Sequence, residues 1–446
     1  MEFLEEFDEI ISLSANGDLA GFIFDSSKDE LFEFAETLAL SSKYHFKPEK
    51  NTNSNFSFIA NSSLSGGRHP CSEMSCRRKK LDELISFASL YSDEVHIQNP
   101  FEDILVSGPK SISTATRQEL MYGISNYIYL RPLLENGIIK YAQNMVSLCS
   151  HHSETLAKPL ADKIRKKENR LYDLLEEQLI DKCTIFFDIK EDGTRYLKIN
   201  GPSELIDHGA MFFYFYDTPP DFIISLYEKS LPYKLTKNEI LSEGVLGLII
   251  SPIIEDLSNQ EWQSAFYGTS YLCDNPTQIS IASKLNSAAY TANSLAFNNA
   301  MSHSLPSVYS KDISSIVDLR NKEAEAFSVY RNKVHNLLKT TDKWSESDVS
   351  EIFRDEIVPE INMIDKKIND WKVKTKDSLK EKLIFGAGSV SIGLYAGMLP
   401  PNIGDIVAAI GGGGAVAGAV MDYNKTLKEK MEARTNDFYF LWQASK

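Results

Sequence analysis

Apolar residues recur at helical spacing near the start of the chain: Leu31, Phe32, Phe34 and Leu38 predict a helix over Asp29 to Leu40. Phe56-Ser57-Phe58-Ile59 then reads as a short strand, and Asn61-Ser62-Ser63-Leu64-Ser65-Gly66-Gly67 as a loop by composition. A helix over 77–91 and a strand at Glu94-Val95-His96-Ile97 follow. Over 113–136 a longer helix places Leu120, Ile124, Tyr127 and Ile128 on one face, with Gly137 as its stop. After an apolar stretch, Ile138 to Val146, a charged helix is predicted from about His152 to Ile180. Its apolar stripe is Leu156, Leu160, Ile164, Leu171 and Leu175.

The clearest strand signal comes next. Thr184-Ile185-Phe186-Phe187-Asp188-Ile189 and Tyr196-Leu197-Lys198-Ile199 flank Glu191-Asp192-Gly193-Thr194, where Asp-Gly accommodates the positive φ of a tight hairpin. Met211 to Tyr216 predicts a third, fully buried strand, its run Phe212-Phe213-Tyr214-Phe215-Tyr216 serving as core rather than as a stacking surface. Pro219-Pro220 ends that strand and starts a helix.

From about residue 236 the pattern is nearly all helical. Thr277 to Met301 is rich in Ala, Ser and Asn, and the stretches 316–337 and 353–371 repeat apolar residues at alternating three and four, as an antiparallel helical pair does. Strands and helices do not alternate regularly, so a doubly wound parallel sheet is not indicated. The expected fold is α+β and predominantly helical, with a mixed α/β N-terminal half and an all-helical C-terminal half. Five regions follow: mixed α/β at 1–150, a long helix plus β-hairpin at 151–235, a helical region at 236–382, an apolar pair of segments at 383–421, and a last helix at 422–446.

That apolar pair, 383–399 and 403–421, is joined by Pro400-Pro401-Asn402 and reads as a glycine-rich helical hairpin. The first segment has no charge and the second only Asp405; both just reach the ~17–20 residues a bilayer span requires. Gly386, Gly393 and Gly397, then Gly411, Gly414 and Gly418, form small-residue ridges of the kind that let helices approach closely. Lys374, Lys376, Lys380 and Lys382 before it, and Lys425, Lys428 and Lys430 after it, favour both ends lying on one side, which agrees with the positive-inside tendency if that side is cytoplasmic. Burial in a soluble helical core is the competing reading. Leu383 to Ser389 imitates the entry to a dinucleotide fold, but Ser391 stands where the third glycine belongs.

Composition narrows the function classes. The net charge of −15 repels phosphate backbones in general, and the short run Arg77-Arg78-Lys79-Lys80 reads as a solvated helix start, so nucleic acid is not an expected partner. Five scattered cysteines do not make a disulfide framework, and the acidic N-terminus is unlike a secretory signal; a cytoplasmic location is expected, at the inner face of a membrane if 383–421 inserts.

Two chemistries are worth testing. Cys71, Cys76, Cys149 and His152 offer thiolate and imidazole ligands for a structural zinc ion. Asp188-Ile189-Lys190 resembles half of a metal-dependent nuclease site, with Glu177 (or Asp173 or Glu176) as the second carboxylate. No nucleophile elbow is present. The leading expectation is a non-enzymatic, homo-oligomeric effector that senses a ligand or partner and acts through the apolar hairpin at a membrane, as a pore. A soluble interaction protein with the hairpin buried comes second, and the nuclease third.

Overall fold

The computed structural model describes residues 2–45, 57–142 and 158–275 apart from short breaks, then 278, 307–309, 313–329, 384–386, 393–395 and a few single positions. Three helices open the chain: α1 (Glu2–Ala15), α2 (Leu19–Asp25) and α3 (Lys28–His45). Strand β1 (Ser57–Ala60) leads through α4 (Met74–Tyr91) to β2 (Glu94–Gln98). After α5 (Glu102–Ser107), α6 (Thr114–Glu135) leads to β3 (Ile139–Ala142). Ser113 and Thr116 cap α6 reciprocally, and Gly137 at φ +67° turns the chain into β3, as its position predicts.

β1 pairs parallel with β2, and β2 parallel with β3. These are two successive β-α-β units. Residues on one sheet face, Phe58, Ala60, Val95, Ile97, Ile139 and Tyr141, share a core with Leu84, Phe87 and Ala88 of α4 and Ile124 and Tyr127 of α6. Burying that apolar stripe is what fixes both helices on this face.

A second sheet interrupts the first. Helix α7 (Lys158–Leu179) precedes β4 (Thr184–Ile189), β5 (Arg195–Asn200) and β6 (Ala210–Phe215), with a short α8 (Asp221–Ser225) before β7 (Tyr233–Lys234). The four strands are antiparallel in the order β6-β5-β4-β7. The predicted hairpin is present: Gly193 takes φ +86°, and the Asp192 carboxylate accepts from the Thr194 N–H at 2.8 Å.

Past α9 (Lys237–Ser242), helix α10 (Gly247–Tyr267) runs into β8 (Ser270–Cys273), which pairs parallel with β1 on the side away from β2. Helix α10 covers the opposite sheet face. Its Ile249, Ile250, Ile253, Ile254 and Leu257 share a core with Ile59, Ala142 and Cys273, and also with Leu171 and Leu175 of α7 and Phe187 and Leu197 of the second sheet. Further on are β9 (Ser307–Tyr309), α11 (Ile313–Lys322), β10 (Ile384–Gly386) and β11 (Gly393–Tyr395). Arg320 of α11 donates to the carbonyls of Ala88 and Ser92, closing the C-terminal end of α4.

The mixed α/β character with two sheets agrees with the expectation; several particulars do not. The first sheet, in the order β11-β8-β1-β2-β3, is parallel over four strands and carries helices on both faces, so a doubly wound arrangement is present after all. Its alternation is hidden because residues 143–269, with a sheet of their own, separate β3 from β8. The region beyond 236 is not all helical: β8 and β9 are strands. Ser270-Tyr271-Leu272-Cys273 is too short for a period, and central parallel strands carry no alternation to detect.

Within 383–399 the described residues are also strands. β10 pairs antiparallel with β9, and β11 with β8, so Gly386 and Gly393 lie in extended backbone and not on a helical ridge. Ile384-Phe385 and Leu394-Tyr395 favour strand, while the glycines around them weaken a helix. Gly397, Gly411, Gly414 and Gly418, the segment 403–421 and most of the proposed helical pair lie outside the described residues. Among the described residues no helix is long and apolar enough to cross a membrane. Ile128, predicted on the buried face of α6, is 58% exposed.

Candidate ligand site at the strand reversal

The chain adds β2 and β3 on one side of β1 and β8 on the other. In open α/β sheets such a reversal leaves a crevice beyond the carboxyl ends of the two strands, and polar ligands bind there. Here that position is filled by a buried polar network drawn from three segments: the loop after β1, helix α10, and the turn after β8.

Asn61 is the hub. Its side-chain amide donates to Asp274 Oδ1 at 2.8 Å, to Gln278 Oε1 at 3.2 Å and to Cys273 Sγ at 3.3 Å. Its own Oδ1 accepts from the Leu64 N–H at 3.1 Å, turning the loop back on itself. Asp274 also accepts from Ser63 Oγ at 2.9 Å and pairs with Lys80 at 3.0 Å. Asp256 of α10 accepts from the Ser62 N–H and from Gln278 Nε2, both at 2.8 Å, and from Gln98 Nε2 at 3.4 Å. Gln260, one turn after Asp256 on the same helix face, donates to the Leu272 carbonyl at 3.2 Å.

The loop is held by its glycines and by Arg77. Gly66 takes φ +78°, and a Cβ on Gly67 would stand 2.7 Å from the Ser62 carbonyl oxygen, so no side chain fits there. Arg77 donates through Nε to the Gly66 carbonyl and makes a bidentate pair with Glu119, both contacts at 2.8 Å, beneath a cation–π contact with Tyr122. The expectation of a solvated Arg77–Lys80 run is therefore corrected. Arg77 is buried and Lys80 faces Asp274, because the half-buried Glu119, the buried Asp274 and a loop carbonyl need cationic donors.

Charge burial sets the titration. Burial pushes the Asp256 carboxyl up to about 7, against the opposing hydrogen bonds from Gln278 and Ser62 and with a contribution from the Asp274 charge. Burial brings His69, in the same loop region, down to about 4, although the Asp274 charge opposes it. A carboxylate offers about four lone-pair positions. Among the described residues Asp256 and Asp274 each receive three donors, and Gln260 Oε1 and His69 Nε2 are buried without a partner. The capacity left over is chiefly for accepting hydrogen bonds, so the site suits a molecule that presents O–H or N–H donors.

A second polar cluster lies at the other end of the strands, where Glu94 meets Ser57 Oγ at 2.6 Å, Lys140 and His96. Burial alone would raise Glu94, but hydrogen bonds from His96, Lys140 and Ser57 bring it down to about 2. Those three partners come from β1, β2 and β3, so Glu94 reads as an internal brace of the three strands.

The residues singled out by sequence are distributed elsewhere. Asp188 lies on the outer face of the second sheet, accepting from the Ile189 N–H at 2.9 Å and from Tyr196 Oη at 3.2 Å. Glu177 is exposed on α7, whose leucines pack on the inner face, so the sheet stands between Glu177 and the pair Asp188 and Lys190. Cys71 and Cys76 are both exposed and in hydrogen-bond contact with each other; Cys149 and His152 lie outside the described residues. No group of three metal-ligating side chains occurs among the described residues. Sequence reasoning missed Asp256, Asn61, Asp274 and Gln278. The available signal was a polar Asp256-x3-Gln260 pair inside an apolar helix, repeated as Asp274-x3-Gln278 just after a short apolar run. Comparison with family models, with curated proteins and with solved structures found no match.

Proposed function

We propose that the chain is a ligand-responsive effector whose parallel α/β unit senses a small hydroxyl-rich molecule of the nucleoside or sugar class at the β1/β8 reversal. The observation that carries this reading is the buried Asn61–Asp274–Gln278–Asp256 network with acceptor capacity to spare. A protein core gains nothing from two buried carboxylates that could be replaced by packed apolar side chains. A binding site does, because Asp274, and Asp256 through its unprotonated oxygen, orient ligand donors.

The response would leave through the apolar C-terminal segments. β11 pairs with β8, the strand that ends at Cys273 just before Asp274, so sensing site and C-terminal segment meet at one strand. With 384–386 and 393–395 docked as strands, action at a membrane requires their release, and two apolar segments per chain require a homo-oligomer to enclose a path. The same strand pairing favours the second reading, a soluble interaction protein that keeps these segments packed on its own sheets. Fractionation of the full chain and of a 1–375 truncation, with and without liposomes, tests the difference. Liposome association of the full chain alone supports the effector; equal solubility and no association favour the soluble protein.

A further inference from the structure

Strand alternation divides the second sheet into two unlike faces. Ile185, Phe187, Leu197, Ile199 and Met211 point into the core. Phe212, Tyr214 and Tyr196 project from the other face together with Lys190 and Lys198. The aromatic run at 212–216, expected as core, is therefore split: Phe213 and Phe215 pack inward, while Phe212 is 44% exposed. Period-two geometry makes this unavoidable for consecutive strand residues.

The outward rings form a compact group. Tyr196 lies 5.7 Å from Tyr214 and 5.8 Å from Phe212, and the Phe212 and Tyr214 planes are within 10° of parallel at 6.3 Å. Lys190 Nζ stands 4.0 Å above the Tyr214 ring and Lys198 Nζ 5.6 Å from the Phe212 ring. Lys234, opposite Phe186 in the register, adds a third cation on β7; the carboxylates nearby are Asp188 on the same face and Asp192 at the hairpin turn beside Lys190. A lysine whose stem lies along a ring can carry its ammonium to a phosphate.

We propose that this face binds single-stranded nucleic acid, with bases stacked on Phe212, Tyr214 and Tyr196 and the backbone tracked by Lys190, Lys198 and Lys234. Aromatic rings grouped on the open face of an antiparallel sheet, with Phe212 and Tyr214 near parallel and Tyr196 tilted against them, and interleaved with cations, are an arrangement by which bases are held without sequence readout. The charge of −15 belongs to the whole chain, whereas a single strand on this face would meet the lysines set among its rings. A protein partner would also use aromatic anchors, but it would not need the lysine flanks. The proposal is independent of the ligand site on the other sheet.

Fluorescence anisotropy of the full chain with fluorescein-labelled U10 and dT10 at 50 and 200 mM salt tests it. Binding should weaken about fivefold to about a hundredfold in Phe212→Ala and in Tyr214→Ala, since each removes one stacking surface. Phe212→Trp should retain binding, and Lys198→Ala should lower the slope of log affinity against log salt by about 0.7, one phosphate contact on a single strand. Circular dichroism melts identify any variant that fails to fold, and the tryptophan variant keeps the proposal testable in that case. Absence of binding to both oligomers, equal affinity for a duplex, or affinity unchanged by both alanine variants overturns it, and leaves the face to a protein.

Discussion

Replacing Asp256 by Asn isolates the most unusual electrostatic feature of the molecule. A carboxyl whose folded pKa is about 7 against an ordinary 3.8 binds its proton more tightly in the folded chain than in the unfolded one. Between those two values the folded state holds a proton that the unfolded state has lost, so stability falls as pH rises through this window and is level above it. Multiplying a difference of about 3 pH units by 1.36 kcal/mol per unit gives about 4 kcal/mol as an upper bound. His69 acts in the opposite sense. Its pKa drops from 6.5 to about 4, so it adds stability as pH rises across that range and masks Asp256 in the wild-type curve. The quantity to measure is therefore the wild-type minus Asp256→Asn difference in urea unfolding free energy, taken from pH 4 to 8. It should decline by several kcal/mol up to about pH 7 and then flatten. A difference that does not change with pH would refute the reasoning, because Asp256 would then titrate alike in both states.

Three further outcomes follow from the same geometry. Gly67→Ala should cost about 1–3 kcal/mol in thermal or urea unfolding, since the added Cβ would lie 2.7 Å from a backbone carbonyl that cannot yield; a change under about 0.5 kcal/mol contradicts the loop geometry. Arg77→Lys keeps the charge but loses the two-pronged Glu119 contact and the Gly66 bond, and should destabilise by about 2 kcal/mol or more in the same assay. Arg320→Ala removes both donors to the end of α4 and should speed amide exchange in the last turn of that helix, with exchange in α6 unchanged.

Local elements were legible where one segment decides its own structure. The Gly137 stop, the Asp192-Gly193 turn and the strands at 57–60 and 94–98 all follow from spacing and turn chemistry. The sheet order was not legible. Nothing near Ser270-Tyr271-Leu272-Cys273 says that it lies beside β1, more than 200 positions earlier, and that pairing creates the reversal. The site was hidden for the same reason, as Asn61 and Gln278 are 217 residues apart. The outward rings of the second sheet were misread because an unbroken aromatic run looks the same whether one face or both are covered. The glycine-rich segment at 383–399 misled in a further way. Apolar glycine-rich sequence serves a close-packed helix or an added strand, and the described residues there are strands.

The central claim is that the β1/β8 reversal binds a hydroxyl-rich small molecule. Isothermal titration of the full chain with adenosine, guanosine, uridine, cytidine, free ribose and glucose tests it most directly, with Asn61→Ala as the matched variant. Asn61→Ala removes the donor to Asp274 and the acceptor for the Leu64 N–H without adding bulk. The account predicts saturable binding of at least one of these compounds and an affinity at least tenfold lower in the folded variant. No binding by any of them, or equal affinity in the two proteins, would contradict it.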